Sequence, residues 1–237
     1  MADLWLLVPS RGRPASVERL VRSCALTCTM DTRIHFAFDD DDPEREESIK
    51  AAGHHRYTVG PRNGLTGWTN ELAMRHVKRG DARALGSFGD DHMPVTQGWD
   101  SLLLAAIDKN HGGVGMAYPN DLVRTDIPEA VVISAPIVAG LGWMALPGTH
   151  HWCIDDAWRD LGVGAGCLTF CETVTVEHRH WFKWAPDPTV KYDSTYADAG
   201  KRLADDRNAY RKWRLTGMRQ DIAKVRAIRA GLGVSGA

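Results

Sequence analysis

The sequence predicts an open α/β sheet followed by a basic helical extension, on three observations. Short apolar runs alternate with stretches at helical spacing through the first half of the chain. Each run ends in polar or acidic residues, as strands do in sheets that take ligands at their carboxyl ends. From Lys191 onward eleven Lys and Arg stand against five Asp, a balance of +6 that leaves −7 for residues 1–190.

Residues 4–8, all apolar and ended by Pro9, suit a strand buried on both faces. Pro14 in a first turn, Ser16 as cap, and Val17, Leu20, Val21 and Cys24 at helical spacing predict the next helix. Residues 33–38 form a second strand running into four consecutive aspartates, 39–42. After a charged helical stretch, 56–59 read as a third strand and 60–67, with three glycines, a proline and an asparagine, as a loop. Helical spacing resumes over 68–76, and 84–88 form a strand ending at Gly89-Asp90-Asp91-His92. Further strands are expected at 113–118 and 131–134, a short helix at 155–161 and an alternating strand over 168–180. Gly162, Gly164 and Gly166 lack dinucleotide spacing and read as a loop.

At 237 residues, with 43% hydrophobic and 25% charged residues and a net charge of −1, the composition is that of a soluble globular protein. We expect a domain over 1–184 and, over 185–237, a linker (185–190) and a basic helical extension packed on it. No apolar run suits a signal peptide or a membrane span. Five cysteines, an odd number, argue against a disulfide framework. Cys24/Cys28 and Cys167/Cys171 are not at ribbon or knuckle spacing, so buried thiols are favoured over zinc. The expectation is a reduced, cytoplasmic protein without a membrane partner.

Three clusters at strand ends can carry chemistry. Four adjacent carboxylates need compensation, so residues 39–42 are either a solvated acidic loop or a site where Asp39 or Asp40 accepts hydrogen bonds from a nucleoside. Asp90 and His92, two apart in extended backbone, point the same way and can share a divalent ion, with Gly89 admitting a diphosphate; a polar turn is the alternative. His178 and His180 share one face of a strand, which suits a ligand and its partner as well as a structural pair. The turn Pro9-Ser10-Arg11-Gly12-Arg13-Pro14 can place amides and guanidinium forks around a phosphate or base, but lacks the lysine of a P-loop.

Over residues 3–182 these features resemble the metal-dependent glycosyltransferases of the GT-A fold, in particular small stand-alone enzymes of bacteriophages and bacteria. The resemblance rests on the turn after the first strand, the aspartates after the second, the loop from Gly64 to Asn70 entering a helix, the Asp-x-His motif and a late histidine. It implies a three-layer sandwich with a mixed, mainly parallel sheet, binding a nucleotide sugar, UDP-linked by preference, through a divalent cation. By position it implies donor contacts from Pro9, Ser10, Arg11, Arg13, Asp39 or Asp40, Gly64, Trp68, Asn70, Asp90 and Asp91. It also implies metal ligation by Asp90 and His92 with His178 or His180. An imidazole ligand favours Mn2+ over Mg2+. The segment from His150 to Trp158 resembles the one carrying the base of inverting enzymes, giving Asp155 or Asp156 that role, although both can equally cap a helix.

Tyr196, Ala199, Leu203, Tyr210 and Trp213 recur at helical spacing and should dock a helix on the core. Arg202, Arg207, Arg211, Lys212, Arg214 and Arg219 around them form a solvated face or a landing strip for a polyanionic acceptor. The resemblance to phage enzymes makes a hydroxymethylated pyrimidine in DNA the leading acceptor, in the host cytoplasm if phage-encoded. A glycan or small-molecule acceptor, a nucleotidyltransferase and a non-catalytic nucleotide-sugar binding module are the alternatives.

Overall fold

The computed structural model describes residues 1–181 and 192–231. Strands β1 (Ala2–Ser10), β2 (Thr32–Asp39), β3 (Arg56–Gly60) and β4 (Ala82–Ser87) alternate with helices α1 (Pro14–Thr27), α2 (Arg45–Ala52) and α3 (Gly64–Arg79). Then come β5 (His92–Pro94), α4 (Trp99–His111), β6 (Met116–Asn120), β7 (Val131–Ser134), α5 (Ala135–Leu141), α6 (Ile154–Ala165) and β8 (Leu168–His178). Two helices follow, α7 (Ser194–Thr216) and α8 (Met218–Arg229). The sheet order is β3-β2-β1-β4-β7-β6-β8-β5. Strands β3, β2, β1 and β4 run parallel, β7 is antiparallel to both neighbours, β6 and β8 are parallel, and β5 is antiparallel to β8.

Three layers result because β1 alternates between two faces. Leu4, Leu6 and Val8 pack with Leu20 of α1 and Trp99 and Leu103 of α4, whereas Trp5 and Leu7 belong to the core shared with α3, α5, α6, Trp213 of α7 and Val225 of α8. The C-terminal helices are therefore part of one hydrophobic core. Tyr196, Ala199 and Trp213 are buried as the stripe predicts, while Leu203 and Tyr210 are half-buried.

Several expectations are corrected. Arg13, not Ser16, precedes α1, and the Ser16 hydroxyl instead accepts from Arg19 at 2.9 Å. The loop after β3 ends at Gly64, whose positive φ of 67° opens α3. Helices α4 and α5 and the short β5 fall where no element was expected; α4 starts from Gly98 at φ 71°, without a side-chain cap to announce it. Gly162 and Gly164 lie inside α6, where small residues let Leu168 and Ile222 approach the helix backbone. The expected linker at 185–190 lies outside the described residues.

Candidate active site

The carboxyl ends of β1, β2 and β4, the start of α3, the loops before β7 and α6, the end of β8 and the first turns of α7 surround a cavity of about 1570 Å³. Its wall contains Pro9, Ser10, Arg11, Arg13, Asp39, Gly64, Trp68, Asn70, Asp90, Asp91, His92, Asp155, His178 and His180. Asp40 and Asp156 are not in it.

The four aspartates after β2 separate by environment. Asp39 is buried and accepts from the Trp68 indole at 2.7 Å and from Arg11 at 3.2 Å. Asp42, also buried, takes the Gly12 amide at 2.8 Å and so shapes the turn after β1. Asp41 pairs with Arg11, and Asp40 is exposed. Asp39 is thus the acid facing the cavity; Asp40 does not reach it. Asn70 lines the wall, but its amide is spent on the backbone, donating to Ala145 at 2.8 Å and accepting from Met144 and Ala145 at 2.7 and 2.9 Å.

After β4, Asp90 and Asp91 diverge in the same way. Asp90 accepts from Ser10 at 2.6 Å and Arg13 at 3.0 Å; burial pushes its carboxyl up against the lowering effect of Arg13. Asp91, rather than Asp90, joins His92 and His178: a ligand atom from each lies within 4.8 Å of the other two. Cross-strand pairing explains the meeting, because β5 and β8 place His92 opposite His178, rings stacked at 4.3 Å. His92 Nδ1 accepts from the Gly89 amide at 3.0 Å, and its Nε2 is buried with no hydrogen-bond partner among the described residues. A Cβ on Gly89 would meet Asp91 Oδ1 at 2.5 Å and His92 Nδ1 at 3.0 Å, so a larger residue here would push these two side chains aside.

His178 Nδ1 donates to Glu129 at 2.5 Å, and its Nε2 stands 3.6 Å from Asp91. Burial alone would lower this imidazole; Asp91 and Glu129 raise it to about 10. Burial would likewise raise Asp91, but His178 and His92 hold it well below the carboxylate range. Carboxylate, imidazole and a second carboxylate behind the imidazole are the donor set and backing of a divalent-cation site, and the orphaned His92 nitrogen fits it. His180 packs edge-on against His178 and Tyr196 at 5.3 and 4.9 Å and is pushed down to about 4 by burial and by His178. It belongs to no metal-capable group among the described residues, and neither do the cysteines.

Asp155 and Asp156 open α6. Asp155 faces the cavity and is raised to about 6 by burial and by the neighbouring Asp156. Asp156 turns away and pairs with Arg159 at 3.0 Å. The loop before them is held by Asp206 of α7, a fully buried carboxylate that accepts from the backbone amides of His150, His151 and Trp152 at 2.8, 2.9 and 2.7 Å.

No family model matches the sequence, and no curated protein does. Solved structures do match in fold. The mannosyltransferase PcManGT from Pyrobaculum calidifontis, in complex with GDP-Man and Mn2+, aligns at TM-score 0.57 and 10% identity over 100% of this chain and 78% of that one. TarS of S. aureus in complex with UDP gives 0.55 and 10% over 73% of this chain and 59% of that one. Glucosyl-3-phosphoglycerate synthase from Mycobacterium tuberculosis, with Mn2+, UDP and glucosyl-3-phosphoglycerate, gives 0.53 and 12% over 99% and 82%. The fold is GT-A. In this GT-A sheet the cavity occupies the carboxyl edge of the parallel strands, where open α/β sheets take their ligands.

Two residues that line the cavity, Glu129 and Tyr196, and two that support its wall from behind, Asp193 and Asp206, have roles that the sequence does not announce. Glu129 sits in an irregular loop 49 positions from its partner His178, with no local pattern to mark it. Asp206 resembles any helical aspartate. Tyr196 reads only as part of a docking stripe, yet its hydroxyl donates to Asp91 at 2.7 Å. Asp193 is legible as an N-cap, being an Asp before Ser-Thr at a helix start, but not as the partner of Arg13.

Proposed function

We propose that the protein is a cation-dependent glycosyltransferase that moves a sugar, UDP-linked by preference, from a nucleotide donor to an acceptor hydroxyl with inversion. The observation that carries this reading is one cavity presenting both the Asp91, His92 and His178 group and Asp155, whose carboxyl burial raises to about 6. The neighbours in complex with UDP, GDP-Man and Mn2+ support the donor class and the metal.

Pro9, Ser10, Arg11, Asp39 and Trp68 form the wall assigned to the nucleoside, and Gly89, in the same wall, is assigned to the diphosphate. When bound by Asp91, His92 and His178, the cation, Mn2+ in preference to Mg2+, neutralises charge on the diphosphate, worth several kcal/mol. Asp155 takes the proton of the acceptor hydroxyl as that oxygen bonds the anomeric carbon. The bond from this carbon to the diphosphate oxygen breaks, and its electron pair leaves with the nucleoside diphosphate. A base poised near the working pH suits that task.

The acceptor we propose is a hydroxymethylated pyrimidine in DNA, a phage-type modification carried out in the cytoplasm. What supports it is the exposed cations of α7 and α8, Arg202, Arg207, Arg211 and Arg219 among them, with Lys201 and Arg202 at the cavity wall. The test is incubation with Mn2+, a panel of nucleotide sugars and hydroxymethylated DNA, followed by digestion to nucleosides and mass spectrometry. A hexose or pentose adduct on the modified base is expected. Sugar transfer to glycans alone would remove the DNA acceptor, and pyrophosphate release from nucleoside triphosphates would replace glycosyl transfer by nucleotidyl transfer.

A further inference from the structure

Arg13 lies among three carboxylates. Its Nη1 bonds Asp90 at 3.0 Å and stands 3.6 Å from Asp91, close enough to compete with a cation for that acid. Its other two nitrogens, Nε and Nη2, donate to Asp193 at 2.6 and 3.0 Å in a bidentate fork. The guanidinium also rests on the Tyr196 ring, 4.4 Å from its centroid, while the Tyr196 hydroxyl donates to Asp91 Oδ2 at 2.7 Å. Both residues stand at the start of α7, where Asp193 additionally caps the Thr195 and Tyr196 amides.

We propose that Asp193 and Tyr196 are positioning residues that keep Asp91 available to a divalent cation, Asp193 by holding Arg13 back and Tyr196 by fixing the carboxylate's orientation. This rests on the reading of Asp91 as a cation ligand. An arginine released from Asp193 has Asp91 as its nearest remaining carboxylate besides Asp90, and a charge-assisted pair there opposes metal binding. Outer contacts of this kind change metal affinity about tenfold or more. The C-terminal helix is then a working part of the centre, and its docking and cation binding reinforce each other.

The experiment is the Kd of Mn2+ alone, measured by electron paramagnetic resonance of the free ion, for the unsubstituted protein, Asp193→Asn, Tyr196→Phe and the double variant Asp193→Asn/Arg13→Gln. Asparagine still caps a helix and phenylalanine keeps the ring, so both single variants should fold. Each single variant is expected to bind Mn2+ about tenfold more weakly, and the double variant to recover most of the loss caused by Asp193→Asn. An unchanged Kd in both single variants, or a double variant as weak as Asp193→Asn, overturns the proposal and leaves the cation site standing. Absence of Mn2+ binding by the unsubstituted protein overturns the cation reading and this proposal with it.

Discussion

Asp155 and Asp156 are adjacent in sequence, yet only one of them faces the cavity. Helix geometry turns successive side chains about 100° apart, so one carboxylate meets the cavity and the other meets Arg159 one turn on. The sequence offered both as the base, and nothing in a lone Asp-Asp pair can separate them without the orientation of α6. Asp155→Asn should lower kcat by about 10²- to 10⁴-fold with little change in donor affinity; Asp156→Asn should stay within about threefold, since it removes a half-exposed pair worth about 1 kcal/mol or less. Steady-state kinetics on the two variants checks this. The pH profile has a sign: a base must be unprotonated, so kcat should rise as pH increases through about 6 and flatten above it. An Asp91 in place of Asp90 at the metal group is the same lesson. The motif was visible, but the turn at Gly89 rather than strict strand alternation decides which acid meets the histidines.

At the level of elements, strands β1, β2, β4 and β7 were legible because mainly apolar, buried runs bounded by polar residues, Pro or Gly leave few alternatives, whereas β3, short and mostly exposed, is marked only by its place between a helical stretch and a Gly-Pro turn. Helix α6 was read too short at its C-terminal end, since its glycines look like loop residues and serve instead as contact points for β8 and α8. Gly162→Ala tests that role. The added Cβ would lie 2.7 Å from Leu168 Cβ and 3.2 Å from the Met116 sulfur, an overpacking cost of about 1–3 kcal/mol against a helix-propensity gain of up to about 1. We expect a net loss of about 1–2 kcal/mol by urea denaturation. A stabilised variant would show that the glycine serves no packing purpose. Helix α7 was legible as a docked amphipathic element but not as a contributor to the site, because Asp193, Tyr196 and Asp206 find partners 180, 105 and about 55 positions away, separations that no local pattern reports.

Across the whole molecule, the net charge of −1 is a cancellation between residues 1–190, at −7, and the stretch from Lys191 onward, at +6. A second polar network lies away from the cavity. His35 and His76, both fully buried, bond each other at 2.9 Å, with Thr58 and Asp81 at the two ends and Trp5 stacked on His76. Burial, then the neighbouring imidazole, pushes His35 down to about 3, and burial lowers His76 against the pull of Asp81. A base depressed by folding binds its proton more readily in the unfolded chain. Stability should therefore be intact above about pH 6.5 and fall as pH drops below it, by about 2 kcal/mol at pH 5 from His35 alone. Denaturation midpoints at pH 7 and pH 5 should differ less for His35→Gln than for the unsubstituted protein; equal differences would contradict the assignment. The central claim, that this GT-A cavity binds a nucleotide diphosphate through a cation held by Asp91, His92 and His178, is tested most directly by calorimetric titration with UDP. Binding that requires Mn2+, vanishes with chelator and is lost in Asp91→Asn is the predicted result. UDP affinity unchanged by chelator and by Asp91→Asn would contradict it.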